Sequence, residues 1–319
     1  CMTPPEPLIA GRYGSTIREK PEHLAALSPS RQVLPSFKLS SFSAMIHTAQ
    51  AQDQAVKGAG THGNKSDREN EKKSRRIILA DFPKGATAGE FFHSIFETLD
   101  FTLSRKRIAL TIEARYREAG YSDPEQLDAA GEAVRAVLET KLETPDRNFS
   151  LNQVTTGQRF NELGFSFPIN RFGITDLQQT IQASDPVFST AGYTDALMKI
   201  PLTEFDGFIQ GFIDLVICVK DKWYIIDYKT NFLGACYEDY GTGQIMEAMT
   251  DHHYLLQYHI YIAALHRYLC WRLPEYDYDR HFGGVFYLFI RGMSPFEQPG
   301  NGVFFHRPEK AAMKRLFGE

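Results

Sequence analysis

The chain has 319 residues, a hydrophobic fraction of 43% and a formal net charge of −4. This length and composition are typical of one large or two modest globular domains, and no apolar run is long enough to span a bilayer. The charge excludes a globally basic nucleic-acid-binding protein, so contact with DNA requires a local groove, a metal ion or partner subunits. The cysteines lack CxxC spacing, which predicts a reducing compartment and neither a zinc site nor an iron–sulfur cluster: Cys1, Cys218, Cys236 and Cys270.

The first 76 residues are predicted to lie outside the main globular domain. Residues 1–36 are rich in Pro, Ser and Arg without periodicity and are predicted to be a linker or leader. Residues 37–76 contain a short element, FKLSSFSAMI, with Ser40 and Ser41 as candidate helix caps, and then a polar loop predicted to be disordered. Because the chain begins at Cys1 without a signal-peptide pattern, we expect it to be a fragment of a longer polypeptide.

Residues 77–319 are predicted to form the globular domain. Thr87 and Glu90 match a capping box, which predicts that a helix opens there and carries Phe92 and Phe96. The remaining pattern predicts helices over 103–119 and 124–143, a strand over 160–169, two strands within 207–229, a long helix over about 242–270 and a strand over 283–290. This order is typical of a mixed α/β unit with helices packed on a small sheet.

Three charged residues interrupt two strand-like apolar runs in GFIQGFIDLVICVKDKWYIIDYKTN. They are Asp214, Asp227 and Lys229. Burying such groups costs several kcal/mol unless they form ion pairs or bind a metal, so their presence indicates a chemical role. The period-2 alternation of a strand predicts that Asp227 and Lys229 share one face, with Tyr228 on the other.

The polar break between the two runs predicts a hairpin. A two-residue loop at Lys220 and Asp221 would put Asp214 directly opposite Asp227, and opposed side chains lie about 5 Å apart at Cβ. Two carboxylates this close repel unless a cation bridges them or one keeps its proton. A divalent metal with oxygen ligands, Mg²⁺ above all, fits this position. The alternative is a structural salt bridge between Lys229 and one aspartate.

Two helical patterns add candidate site residues. His93 and Glu97 lie one turn apart on the first helix, where His93 is a candidate metal ligand or a buried core residue. Glu97 is a candidate to bind a second metal through water or to orient His93. Gln257 and Tyr261 form a similar pair on the long helix, either as functional residues or as amphipathic packing.

These segments together resemble a known family. The motifs GEFFHSIFE, QGFIDLVI, IIDYKTNFLG and LLQYHIYIAALHRYL, in this order, are similar to those of the RecB-type nucleases of the PD-(D/E)XK superfamily, over roughly residues 37–317. The resemblance implies a restriction-endonuclease-like α/β core and one or two Mg²⁺ ions, for which Mn²⁺ substitutes. It assigns metal binding to His93, Asp214, Asp227 and the backbone carbonyl of Tyr228, catalysis to Lys229 with both aspartates, and DNA positioning to Gln257, Tyr261 and Glu97.

The same resemblance implies a DNA exonuclease or endonuclease. Such a domain would be the nuclease part of a RecBCD-like helicase-nuclease in double-strand break repair and recombination. Its expected partners are DNA single strands from duplex ends, RecC-like and RecD-like subunits and a recombinase. The expected location is the cytoplasm, at the nucleoid, without membrane contact. The alternatives are an AddA-like or free-standing nuclease, or a catalytically silent scaffold that docks a recombinase.

Overall fold

A six-stranded mixed sheet forms the centre of the structure, a computed structural model that describes residues 38–41, 74–172, 179–180 and 205–317. Its strands are β1 (Lys38–Ser41), β4 (Arg159–Phe172), β5 (Phe205–Val219), β6 (Lys222–Lys229), β7 (Phe282–Phe289) and β8 (Val303–His306). A separate two-stranded ribbon consists of β2 (Leu142–Glu143) and β3 (Asn148–Phe149).

Helices cover both faces of this sheet. They are α1 (Ala86–Thr98), α2 (Arg105–Glu118), α3 (Pro124–Glu139), α4 (Thr242–Asp251), α5 (Tyr254–Arg272), α6 (Tyr278–His281) and α7 (Lys310–Phe317). Residues of α1, α2 and α3 form one core with one sheet face, here the α1 core, which includes Phe92, Phe96, Leu215, Ile226 and Tyr228. Residues of α4 and α5 form the α5 core with the other face, which includes Ile213, Val216, Ile225, Leu256 and Tyr287. The predicted α/β fold with a small mixed sheet flanked by helices is confirmed.

Strand β5 is the axis of the sheet. Strand β4 pairs with it antiparallel over most of its length, while β6 and β1 pair with it at separate parts of its other edge. Strand β7 is parallel to β6, and β8 is antiparallel to β7. Because parallel neighbours need a crossover connection, α4 and α5 lie between β6 and β7 in the chain and cover one face of the sheet.

Two local expectations are wrong, and a third is not tested. Helix α1 begins at Ala86 with Gly85 as its N-cap, so Thr87 lies inside the first turn, and the predicted capping box does not form. The predicted single helix over 242–270 is two helices, because His253 adopts a left-handed conformation with φ 56°. Ser40 and Ser41 belong to β1 and pair with β5, and the helix that they were expected to cap lies outside the described residues.

Other expectations concern residues outside those that the structure describes. These are the linker or leader over 1–36 and the polar loop, of which only 74–76 are described. Across the described ranges, no helix combines the length and the apolar character that a bilayer-spanning segment requires.

Arg291 joins two segments that surround the sheet end. Its side chain is buried, its Nε donates to the carbonyl of Thr230 at 2.8 Å, and its Nη1 donates to the carbonyl of Leu79 at 2.8 Å. Thr230 follows β6 directly, and Leu79 belongs to the segment that leads into α1. One guanidinium therefore ties the end of β6 to the approach of α1.

The β5–β6 turn supports a first testable prediction. Lys220 and Asp221 have φ of 48° and 64°, as a type I′ two-residue loop requires, so the predicted loop is confirmed. Asp221→Val should lower the free energy of unfolding by about 1–2 kcal/mol, because a β-branched side chain clashes in this conformation. Asp221→Gly is the matched control and should be as stable as the wild type or more so. Chemical denaturation measures the free energy of unfolding of both variants. Wild-type stability of the valine variant would contradict the left-handed conformation of Asp221.

Candidate metal and catalytic centre

The candidate site lies where β5 and β6 separate. Their pairing keeps the predicted register up to Leu215 and Ile226. A continued ladder would offer the N–H of Tyr228 to the carbonyl of Ile213. That N–H instead donates to Oδ2 of Asp214 at 2.9 Å. The carboxylate therefore replaces a backbone acceptor and is held at the point of separation.

The alternation of side chains reverses at the same point. Ile213 and Val216 are three residues apart, yet both belong to the α5 core, so β5 changes phase around Asp214. The β4 residue opposite is Glu162, which has φ 47°. Regular pairing resumes on both sides of these two residues, at Asn161↔Leu215 and Leu163↔Ile213. Both neighbouring strands are thus irregular at the same point, and a carboxylate residue lies at the irregular position of each.

Three side chains from three elements converge at this irregularity. His93 of α1, Glu162 of β4 and Asp214 of β5 each offer one ligand atom, and all of these atoms lie within 4.8 Å of one another. The Nδ1 of His93 lies 3.4 Å from Oδ2 of Asp214. Glu162 was not predicted from the sequence, although a charged residue inside a predicted strand was an available signal.

Asp227 and Lys229 form a buried ion pair beside this cluster. The carboxylate of Asp227 is 1% exposed, and its Oδ2 lies 2.5 Å from Nζ of Lys229. Strand alternation puts both on the α5 side, as predicted, while Tyr228 stacks on Phe96 of α1 with ring centroids 4.3 Å apart. Asp227 is not one of the three converging ligands, so its predicted role as a metal ligand stays a prediction.

A hydrogen-bonded network holds Lys229 from the α5 side. Its Nζ donates to Oε1 of Gln257 at 3.1 Å and lies 4.1 Å from the ring centroid of Tyr254. The hydroxyl of Tyr287 donates to the same Oε1 at 2.9 Å, and Nε2 of Gln257 donates to the hydroxyl of Tyr261 at 2.9 Å. Gln257 and Tyr261 are both buried, and Gln257 binds the lysine while Tyr261 holds Gln257. Their predicted contact with DNA stays a prediction.

Glu97 and Gly89 lie on either side of His93 along α1. Glu97 is exposed, and its backbone carbonyl accepts a hydrogen bond from Asn161 of β4. A Cβ on Gly89 would lie 3.3 Å from Oγ1 of Thr230, so the glycine allows α1 to approach the end of β6 closely. Helix α1 is therefore held against both β4 and β6, with His93 between the two contacts.

Burial and mutual repulsion raise the pKa values of the carboxyl groups. Burial raises the pKa of Asp214, although the charge of His93 opposes this. Burial and then the charge of Asp214 raise the pKa of Asp227 to about 7. Burial and then the charge of Glu97 raise the pKa of Glu162. The ionised carboxylates are thus destabilised, and a nearby cation would relieve this.

Lys229 keeps its charge despite its burial. Burial lowers the pKa of its ammonium group, but Asp227, Tyr254 and Asp214 together outweigh this, and the pKa is raised overall. The side chain is therefore a fixed positive charge beside the cluster.

The donor set fits a divalent cation. Two carboxylates and an imidazole converge, and oxygen donors suit Mg²⁺ while an added imidazole also suits Mn²⁺. Oδ2 of Asp227 is buried and lies 2.5 Å from Nζ of Lys229, so this carboxylate already forms an ion pair. An ionised carboxylate has about four lone-pair sites, so the ion pair leaves capacity for a further cation.

Comparison with known proteins identifies the family. A sequence profile of the PD-(D/E)XK nuclease superfamily matches residues 72–303. The chain belongs to this superfamily. It is 36% identical over 240 residues to the RecBCD enzyme subunit RecB of Escherichia coli (strain K12), covering 74% of this chain and 19% of that protein. The resemblance to RecB-type nucleases is thereby confirmed.

Two further relatives carry the same name. The RecB subunit of Haemophilus influenzae is 32% identical over 242 residues, covering 75% of this chain and 19% of that protein. That of Mycolicibacterium smegmatis is 31% identical over 307 residues, covering 86% of this chain and 27% of that protein. The chain spans about a fifth to a quarter of the length of these relatives.

The raised pKa of Asp227 predicts a pH dependence of stability in chelator-treated protein. Its pKa of about 7 in the folded state exceeds the ordinary value of 3.8, so folding favours the protonated form. Its stabilising contribution is present below about pH 4 and is lost as the pH rises to about 7, by on the order of a few kcal/mol. Between about pH 4 and pH 8, the free energy of unfolding should therefore fall less in Asp227→Asn than in the wild type. Asp221→Asn, in the exposed turn, is the control, and identical pH dependence in all three proteins would contradict the prediction.

The converging cluster predicts that Glu162 contributes to metal binding. Glu162→Gln should weaken the binding of Mg²⁺ or Mn²⁺ by about tenfold or more, the order found when a group that supports a metal site is removed. Glu97→Gln is the matched control, because Glu97 is near but exposed. Calorimetric titration compares the variants. An equal loss in Glu97→Gln would favour the role predicted for Glu97, and unchanged binding in Glu162→Gln would exclude Glu162 as a ligand.

Proposed function

We propose that the chain is a divalent-metal-dependent DNA nuclease that hydrolyses phosphodiester bonds. The observation that carries this proposal is the convergence of His93, Glu162 and Asp214 next to the buried Asp227–Lys229 pair. Membership of the PD-(D/E)XK nuclease superfamily supports the same chemistry.

His93, Glu162 and Asp214 would hold the cation, and the resemblance adds Asp227 and the carbonyl of Tyr228. Mg²⁺ is the first candidate because most of these donors are oxygens, and Mn²⁺ would substitute because it accepts imidazole readily. When bound, the cation supplies Lewis acidity and lowers the pKa of a water molecule.

Lys229 would act on the phosphate and on the attacking water. Hydrolysis of a phosphodiester gathers negative charge on the phosphate oxygens, and a preorganised ammonium stabilises that charge. Its hydrogen bond to Gln257 fixes its position before the substrate arrives. Gln257 is itself held by Tyr261 and Tyr287, so in this proposal these residues position the lysine.

The wider role is that of the nuclease portion of a RecBCD-like helicase-nuclease. The curated relatives are named as RecB subunits of the RecBCD enzyme, and the chain spans a minor part of their length. We therefore propose a role in double-strand break repair and recombination, with RecC-like and RecD-like partners, single strands from duplex ends as substrate, and a location in the cytoplasm at the nucleoid. Contact with a recombinase belongs to this proposal.

A silent scaffold is the less favoured function. Replacing a buried ion pair with apolar residues of similar volume is often neutral or stabilising. A chain without catalysis would therefore gain from losing Asp227 and Lys229. Both are present in this chain as an ion pair, and Lys229 also donates a hydrogen bond to Gln257.

The proposal predicts cleavage of single-stranded DNA that needs a divalent cation and Lys229. Lys229→Met should lower kcat by about 10²–10³-fold, the loss expected for one preorganised charge, while metal binding persists. Lys222→Met is the matched control, since this lysine of the same strand pairs with Asp146 at 3.2 Å outside the candidate site. The assay follows cleavage of a labelled oligonucleotide with Mg²⁺, with Mn²⁺ and with a chelator. Absence of cleavage by the wild type under all conditions would refute the proposal.

A further inference from the structure

An uncharged strip of sheet surface adjoins the candidate site. Gly164 and Ser166 of β4 and Gln210 and Phe212 of β5 are all exposed, and we call these four residues the β4–β5 floor. Their strand neighbours, including Ile213, pack into the α5 core, so the floor faces the opposite side, which α1 covers further along the sheet.

Phe212 is the prominent member of this floor. Its side chain is 62% exposed, which is unusual for a large aromatic residue in a central strand. Gly164 lies directly opposite in β4, and a Cβ there would lie 3.3 Å from the Phe212 ring. The ring therefore extends across a residue without a side chain. Covering a glycine is a known structural use of an aromatic residue, but it engages one side of the ring only.

The position of Phe212 connects this ring to the site. Asp214 is two residues further along β5, a distance of about 7 Å along the strand. Glu162 is two residues from Gly164 on the neighbouring strand, so the floor ends at the two irregular carboxylates. A strand with its phosphate at the cluster would have an adjacent base within reach of the ring.

The charge of the chain makes a stacking contact useful. The net charge is −4, and the site itself is lined by carboxylates, so long-range attraction contributes little to binding a polyanion. Stacking of bases on aromatic rings is independent of sequence and does not require basic residues. The floor has no acidic side chain that would repel the DNA backbone.

We infer that Phe212 stacks on a nucleobase next to the scissile phosphate of single-stranded DNA. This inference rests on the proposed nuclease function and names the substrate contact that completes it. Phe212 is a substrate-binding residue, and the β4–β5 floor is the path along which the strand enters the site.

Kinetics with three variants test this contact. Phe212→Ala should raise KM for a single-stranded oligonucleotide about tenfold, equivalent to ~1.4 kcal/mol, with kcat little changed. Phe212→Trp should restore a wild-type KM, because indole stacks at least as well. Trp271→Ala is the control, since Trp271 is 77% exposed and lies about 21 Å along α5 from Gln257. An unchanged KM in Phe212→Ala, or no rescue by tryptophan, would overturn the inference.

A cycle with modified DNA separates stacking from a structural role. In a series of oligonucleotides, one abasic position replaces in turn each of the two nucleotides on either side of the cleavage site. Only one member of this series should bind the wild type more weakly, because it lacks the base that stacks on Phe212. That oligonucleotide should bind Phe212→Ala as tightly as the unmodified oligonucleotide binds the same variant. Equal weakening of the variant for all oligonucleotides would mean that the ring supports the fold, and the inference would fail.

Equilibrium binding distinguishes failure of this inference from failure of the proposed function. The same labelled oligonucleotides are titrated with wild type and Phe212→Ala in the presence of a chelator, and fluorescence anisotropy is measured. If binding depends on the base and on Phe212 but no DNA is cleaved after metal is added, the stacking contact stands and the proposed nuclease function is refuted. Cleavage with binding that does not depend on Phe212 would retain the nuclease and refute the contact.

Discussion

The burial of acidic groups around one lysine is the constraint on which the rest of the structure depends. Asp227 is 1% exposed, and its ionised form is opposed both by burial and by Asp214. Lys229 offsets part of this cost, but the ammonium is also buried and needs partners of its own. Gln257 and Tyr254 of α5 and Tyr287 of β7 are those partners, so a helix and the strand next to β6 together stabilise one charge.

This arrangement explains polar residues within an otherwise apolar core. Helix α5 is buried on nearly all sides, yet Gln257 lies in its first turn, facing the end of β6. An apolar residue there would leave the ammonium without its hydrogen-bond acceptor. The tyrosines nearby are neutral donors, because burial and then Asp227 raise the pKa of Tyr261 and Tyr287 well above 10. The buried polar residues therefore lower the stability of the core, and they hold a positive charge in a fixed position at its edge.

The parts of the fold that depend on local periodicity were predictable. The hairpin register followed from a two-residue loop and period-2 alternation, and this is why Asp227 and Lys229 were correctly assigned to one face. Glu162 was missed because its approach to Asp214 depends on a phase change in two paired strands, and a charge within one predicted strand does not show which residue lies opposite. The break at His253 was missed because apolar residues at helical spacing lie on both sides of it, although residues 250–253 are polar. The support of Lys229 by Gln257 joins β6 to α5 and is visible only in the folded chain.

The remaining requirement is that α1 keeps a fixed position relative to the sheet. His93 reaches Asp214 across an interface between two elements, and apolar packing alone tolerates small sliding motions. Two sets of hydrogen bonds and one close approach restrict such sliding. Arg291 ties the approach of α1 to Thr230, Gly89 lets α1 lie close to the same residue, and Asn161 binds the last turn of α1 to β4.

These contacts lie on both sides of His93 along the helix. Directional hydrogen bonds at both ends define the helix position more narrowly than packing of phenylalanines between them would. The imidazole is then held against Asp214 and Glu162, with its ring packed edge-on against Tyr228. A metal centre assembled from three separate elements can form in this fold because backbone carbonyls, rather than the ligands themselves, fix the distance between those elements.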